Sequence, residues 1–299
     1  MFIEWFILIT CILSAFISIS FVIFVIFASS IHSISIALTC HSSITVIIAN
    51  IVLVLTTIFM LKINFENNNL WCQIDAYCFQ VSLILIYHSY YLQAFHRFSS
   101  VVYHHNVYFR TYHIFLVILI LQWIFAWFYP FRLLKFGLFT YNPIINACHL
   151  DWNLSHELFL LLSIEYFIPL IIDAVLYISL IKHSHLHIAQ ITHHSVTQHR
   201  NQIIMSQEQR RIKREFKMLK RILIFYLALV IMDFPSVILT IIAAIDSHDS
   251  ISLQYSYKII LVLISCILLM ISICQFILTP SVKTLIHDYI KRRTNQVFE

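Results

Sequence analysis

The sequence is poor in charge and nearly devoid of glycine. Of its 299 residues 11% are charged and 60% hydrophobic, where a soluble domain carries about 25% charged and about 45–50% apolar residues. That balance excludes an ordinary soluble fold, which would lack the polar surface to cover so much apolar side chain. There is one glycine, Gly137, and there are five prolines. So few turn formers exclude a transmembrane barrel, whose strands are alternating segments of about ten residues punctuated by turns. They also argue against helices interrupted by glycine and proline, the usual frame of a secondary transporter.

What the sequence has in abundance is the long apolar run. Seven occur: Phe6–Ala28, Ser33–Leu61, Ala76–Phe95, Tyr112–Phe131, Leu158–Ile181, Ile222–Ile245 and Ile259–Val282. Each has about 20 residues or more, the length a helix needs to cross ~30 Å of hydrocarbon. Within lipid every backbone polar group must be satisfied inside its own segment, so helices are the expected form. The sequence predicts an all-α membrane protein, a seven-helix bundle in a single domain over residues 1–299. Its helices are expected at about 5–29, 33–62, 70–102, 112–131, 157–184, 212–245 and 254–282. The first run is expected to be a retained helix, since Met1-Phe2-Ile3-Glu4 contains no base and the run exceeds the apolar core of a signal peptide.

Charge sets the orientation. Lys62, Arg132, Lys135 and Lys258 fall on one side of the seven runs, and the other fifteen of the 19 basic residues fall on the opposite side. The positive-inside rule then predicts an extracellular N-terminus and a cytoplasmic C-terminus in a multi-pass plasma-membrane protein. The basic run Arg210–Arg221 leads straight into an apolar helix, which fits a membrane surface and not nucleic acid. The longest polar connection, Lys182–Arg221, is expected to be a loop. It is rich in histidine (His183, His185, His187, His193, His194, His199), but no cysteine or acid completes a ligand set. No metal and no cofactor are expected.

Several residues stand in a telling register. Cys72 opens the third helix and Cys148 lies in the next loop on the same side. His96-Arg97-Phe98 closes the third helix, with Val101 following. Cys72 and Arg97 are about 37 Å apart along a helix, one at each face of the membrane. Trp123 sits mid-way along the fourth helix, Pro169 and Tyr177 in the fifth, Pro235 in the sixth, and Thr279-Pro280 at the end of the seventh. A basic amphipathic stretch, about 284–293, follows and is of the kind that lies on a membrane surface. A lone arginine at a helix end would usually be an anchor reaching for the interface; the joint spacing is what carries information.

In these features the chain resembles the rhodopsin-like (class A) G-protein-coupled receptors, as a divergent member, over nearly its whole length. The resemblance implies a Cys72–Cys148 disulfide and a short eighth helix. It implies a heterotrimeric G protein as cytoplasmic partner, an extracellular ligand, and signalling by outward movement of the sixth helix about Pro235. The switch residues it implies are His96, Arg97, Phe98, Tyr177, Glu215, Pro235 and Pro280. Glu215, 20 residues before Pro235, stands where many members carry the acid that pairs with the helix-three arginine, and Tyr177 would help hold Arg97 in the active form. The departures are His96 in place of the adjacent acid, Asp233 in place of tryptophan, Thr279 in place of asparagine and Lys283 in place of tyrosine.

Charges within the apolar runs are functional candidates. Asp75, Glu165 and Asp233, with Phe79 nearby, are the ligand-binding candidates, and acids without bases at this depth suggest a small or peptidic ligand with a basic group. The bland alternative is that these acids are protonated or satisfied by neighbours such as His88 or Tyr166. Phe79 stands where amine receptors carry an acid, and Ile273 where opsins carry their lysine. Asn153-Leu154-Ser155 is a glycosylation sequon. The competing reading is a secondary transporter using Glu165, Asp173 and Asp233. A membrane enzyme is the third, with His41, His88 and Asp75 as a conceivable cluster; no enzymatic activity is expected.

Overall fold

The computed structural model describes residues 2–27, 34–62, 69–103, 112–142, 147–150, 156–195 and 250–278, with 230, 231, 234, 235, 237–239, 241 and 242. Helices α1 (Phe2–Phe27), α2 (Ile34–Lys62), α3 (Asn69–Val102) and α4 (Tyr112–Lys135) follow the first four apolar runs. Strands β1 (Phe139–Asn142) and β2 (Ala147–Leu150) come next. Helix α5 (His156–Leu162) passes through a π-helical turn, Ser163–Phe167, into α6 (Ile168–Ser195). Helix α7 (Ser250–Leu278) is the last described element. The described residues between 230 and 242 are helical.

Six helical spans among the described residues are long and apolar enough to cross a membrane: Phe2–Phe27, Ile34–Leu61, Leu70–Ser100, Tyr112–Lys135, Phe159–His183 and Tyr255–Ile277. They make this a membrane protein. The 222–245 run is described only in part. The expected eighth helix, about 284–293, lies outside the described residues, as do Glu215, Asp233, Asn153 and Pro280.

Each helix has an inward and a lipid-facing side. On α1 the buried residues are Glu4, Ile7, Leu8, Thr10, Cys11, Ser14, Ser18, Phe21 and Val25, most of them spaced by three and four as one helical face requires. Its opposite face exposes Trp5, Ile9, Ile12, Phe16, Ile19 and Ile23. Both faces can be apolar because lipid is the outer solvent. The inward stripe narrows to Cys11, Ser14 and Ser18, and small side chains let helix backbones approach closely. Helix α1 packs on α2 and α7. Helix α3 is the axis of the bundle, touching α2, α4, α6, the π turn and both strands.

The described residues are mostly helical, as expected, with one short hairpin beside the helices. Strands β1 and β2 pair antiparallel, with Phe139 opposite Leu150 and Tyr141 opposite Cys148. Phe139, Ala147, Cys148 and Leu150 are buried, so the hairpin lies across one end of the bundle as an apolar plug. The chain's one glycine makes this possible. Gly137 adopts φ 66° just after α4. Its N–H donates to Leu134 O (3.0 Å), and Leu138 N–H donates to Leu133 O (3.2 Å). This is a Schellman ending, whose left-handed residue is usually glycine because a Cβ is disfavoured there.

The Lys182–Arg221 segment also differs from its loop reading. Helix α6 continues to Ser195, well past the apolar run that ends at Ile181. No glycine or proline interrupts that stretch, so the helix persists beyond the hydrocarbon.

Candidate functional site

The bundle has two distinguishable ends, one marked by the disulfide and one by Arg97. At the first, Cys72 at the start of α3 is bonded to Cys148 on β2, with Cα atoms 5.3 Å apart. The bond ties the plug to the central helix, and Gln73 Nε2 adds a hydrogen bond to Phe139 O at 3.4 Å. Asp75 accepts from Thr56 Oγ1 of α2 at 3.1 Å. Phe79 packs against the main core cluster. Near this end Lys258 of α7 donates to Glu4 Oε1 of α1 at 2.7 Å, with side-chain exposures of 20% and 7%. This α1–α7 ion pair joins residues 254 positions apart, and the sequence reading had assigned neither a role in the site.

At the other end Arg97 Nη2 donates to Ser35 Oγ, 2.6 Å away in the first turn of α2. The His96 ring meets Phe115 of α4 edge-on, centroids 4.9 Å apart. Phe98 contacts Tyr103 and packs on the Ala94–Tyr177–Leu180 cluster. Tyr177 is buried within electrostatic reach of Arg97. The structure thus gathers His96, Arg97, Phe98 and Tyr177 at one end of α3 and adds Ser35, which sequence reasoning missed. Pro235 is exposed and helical.

Between the two ends runs a buried network of uncharged groups. Ser272 Oγ of α7 donates to Leu268 O at 2.9 Å. A hydroxyl has one proton, so Ser14 and Ser18, each 2.8 Å away on α1, must be donors to Ser272 Oγ. Asn50 of α2 donates through Nδ2 to Ser14 Oγ (2.9 Å) and to Val46 O (2.8 Å). One turn further along α7, Gln275 Oε1 accepts from Ser43 at 2.8 Å. Its Nε2 donates to Ser42 Oγ (2.9 Å) and Tyr90 OH (3.2 Å). Gln93 of α3 also donates to Ser42 Oγ, at 2.8 Å. Helices α1, α2, α3 and α7 are joined without a charge. The one signal for this set in the sequence is the spacing of Ser14 and Ser18, one helical turn apart.

The acids of the fifth run face α3. Glu165 is buried in the π-helical turn, and Gln80, with its amide nitrogen turned toward the carboxylate, donates to Glu165 Oε1 at 2.7 Å. A π turn inserts an extra residue into the helical ladder and often marks a functional position. Here it precedes Pro169, which has no N–H to offer the turn behind it. Asp173 is also buried, and it lines a small cavity with Tyr87, Tyr90 and Tyr166. His88 stacks on Phe125. Among the described residues, no three of histidine, cysteine, aspartate and glutamate come together to hold a metal. His41, His88 and Asp75 therefore form no common centre. Trp123 instead engages His41.

No family model matches this sequence, and no curated protein matches it either. Among solved structures the chain is similar to squid rhodopsin, with a TM-score of 0.77 at 10% identity, covering 97% of this chain and 84% of the rhodopsin chain. At that identity the likeness speaks to architecture, and on it the chain has a rhodopsin-like fold.

Proposed function

We propose that this protein is a receptor of the G-protein-coupled kind. It carries an extracellular ligand signal to a heterotrimeric G protein, with its N-terminus outside the plasma membrane, its C-terminus in the cytosol and an eighth helix after α7. The observation that carries the reading is the fold likeness to squid rhodopsin over 97% of the chain. The basic residues concentrated on one side support the orientation.

In this reading the Arg97 end is cytoplasmic. Arg97, His96, Phe98 and Tyr177 form the resting switch together with Glu215, Pro235 and Pro280. Ligand binding shifts an equilibrium between resting and signalling arrangements and needs unequal affinity for the two. Ser35 holds Arg97 in the resting arrangement. An exposed ion pair to Glu215 would add about 1 kcal/mol or less, so the serine contact is a substantial share of the latch. Asp75, Phe79, Glu165 and Asp233 are assigned to the ligand, a small or peptidic molecule with a basic group, and Asn153 to glycosylation. A carrier using Glu165, Asp173 and Asp233 is not favoured by the fold likeness.

Guanine-nucleotide exchange on purified Gα subunits, tested across a ligand panel with the protein in membranes, tests this directly. Exchange above empty membranes that is lost in Arg97→Ala is expected.

A further inference from the structure

Asp75 is a carboxylate within a membrane-spanning helix, one turn past Cys72 on α3. Its hydrogen-bond partner among the described residues is neutral: Thr56 Oγ1 of α2 donates to Oδ1 at 3.1 Å. Tyr257 of α7 is buried within electrostatic reach of it. No lysine or arginine among the described residues pairs with Asp75. The other acids of the described spans are placed differently. Glu4 is held by Lys258 at 2.7 Å, and Glu165 accepts from the Gln80 amide at 2.7 Å. Glu4, Glu165 and Asp173 are buried, whereas Asp75 is half-buried and so can be reached. An ionisable group at membrane depth is costly, and by default it marks a place where a charged partner or ligand is met. The disulfide ties α3 to β2, and β2 also touches α2, so the hairpin covers the end of the bundle at which Asp75 stands.

We infer that Asp75 is the charge anchor of the ligand and takes a primary ammonium group beside the hairpin, where α2, α3 and α7 meet. The inference rests on the ligand reading above and narrows it to one acid and one kind of cation. A guanidinium is a planar fork that is best met by both oxygens of a carboxylate, and Thr56 already engages Oδ1. An ammonium is a compact point charge, and Oδ2 alone can meet it. Phe79 stands four residues further along α3, on the same face one turn deeper, and packs on the core cluster. The carbon skeleton next to the ammonium is therefore apolar or aromatic. Phe79 holds the position at which amine receptors carry their acid, so this ammonium is bound about 6 Å nearer the disulfide end. A small monoamine and the amino terminus of a peptide both carry the required group.

The test uses the full chain in lipid discs and needs no G protein. Thermal unfolding of wild type, Asp75→Asn and Asp75→Glu is followed with phenethylammonium and with phenylalanyl-glycine amide. Their neutral counterparts are 2-phenylethanol and the N-acetylated peptide, at equal pH and ionic strength. The expected result is a saturable rise in Tm of several degrees with at least one of the two ammonium probes. It is absent with the neutral counterpart, lost in Asp75→Asn and kept in Asp75→Glu; which probe acts separates monoamine from peptide. No rise with either ammonium probe, an equal rise with the neutral counterpart, or an undiminished rise in Asp75→Asn overturns the site. Should Asp75→Asn fail to fold, carbodiimide coupling of phenethylamine to wild-type protein, mapped by mass spectrometry, decides. Preferential amide formation at Asp75 is expected, and an unmodified Asp75 overturns the site. A Tm response without nucleotide exchange upholds the ammonium site and counts against the receptor reading. Ligand-driven exchange with no Tm response to either ammonium probe upholds the receptor reading and overturns the site.

Discussion

Trp123 of α4 donates its indole N–H to Nε2 of His41 on α2 at 2.9 Å, and the two rings meet edge to face. Because Nε2 is the acceptor, the neutral ring carries its proton on Nδ1. Trp123→Phe keeps an aromatic ring but strips a buried acceptor of its donor, which costs about 1–3 kcal/mol. His41→Phe strands the indole N–H in the same way. A double-mutant cycle by thermal unfolding should show the double variant losing less than the sum of the singles. Strict additivity would mean that the two side chains do not interact.

The uncharged network predicts a different pattern. Gln275→Leu removes bonds to Ser42, Ser43 and Tyr90 at once. Hydrogen bonds between membrane helices average about 0.6 kcal/mol each, so the loss should be about 2 kcal/mol. Ser272→Ala releases Ser14 and Ser18 and should cost about two-thirds as much, about 1.2 kcal/mol on the same scale. Chemical unfolding in mixed micelles reads both. Equal stability of Gln275→Leu and wild type would show the network to be energetically idle.

Gly137 offers a backbone test. Nothing lies within 4 Å of a Cβ built there, yet φ is +66°. Gly137→Ala should therefore destabilise by roughly 1 kcal/mol through the left-handed conformation alone. An unchanged Tm would mean that this turn is not held as described.

The Glu4–Lys258 pair joins the start of α1 to α7. Exposed pairs contribute up to about 1 kcal/mol, and breaking a buried one costs about 3–5 kcal/mol. With Glu4 buried and Lys258 partly exposed, Glu4→Gln should lie between these limits, at about 1–3 kcal/mol. The exchanged pair Glu4→Lys with Lys258→Glu should recover part of the loss, measured as Tm. Failure of the exchange to rescue either single substitution would argue against direct pairing.

Much of the architecture was legible because lipid leaves so few solutions. Apolar runs of helical length, uninterrupted by glycine, specify spans, and the register of Cys72, Arg97, Trp123 and Pro169 places them in a bundle. The hairpin was not legible, because two four-residue strands carry too little periodicity to stand out from a loop. Nor was the π turn at Glu165, which depends on how α5 and α6 pack on α3. The serine–glutamine network escaped for a different reason. Ser14, Ser42 and Ser272 are unremarkable singly, and only packing reveals that they converge. Ser35 belongs to the same class, since nothing near it in sequence points to Arg97. The apolar run stops at Ile181, so the sequence gives no sign that α6 continues to Ser195.

Nucleotide exchange at the Arg97 end tests the central claim most directly. Basal and ligand-stimulated GDP release from Gα is measured for wild type, Arg97→Ala, Ser35→Ala and His96→Asp in matched membranes. A 1.4 kcal/mol change moves an equilibrium constant about tenfold, and a hydrogen bond to a charged group is worth about 1.5–3 kcal/mol. Ser35→Ala should therefore raise basal exchange by about tenfold. His96→Asp should lower it by giving Arg97 an adjacent counter-charge, and Arg97→Ala should abolish the stimulated response. If no variant changes exchange, and wild type never exceeds empty membranes with any ligand in the panel or any Gα class, the receptor account is wrong.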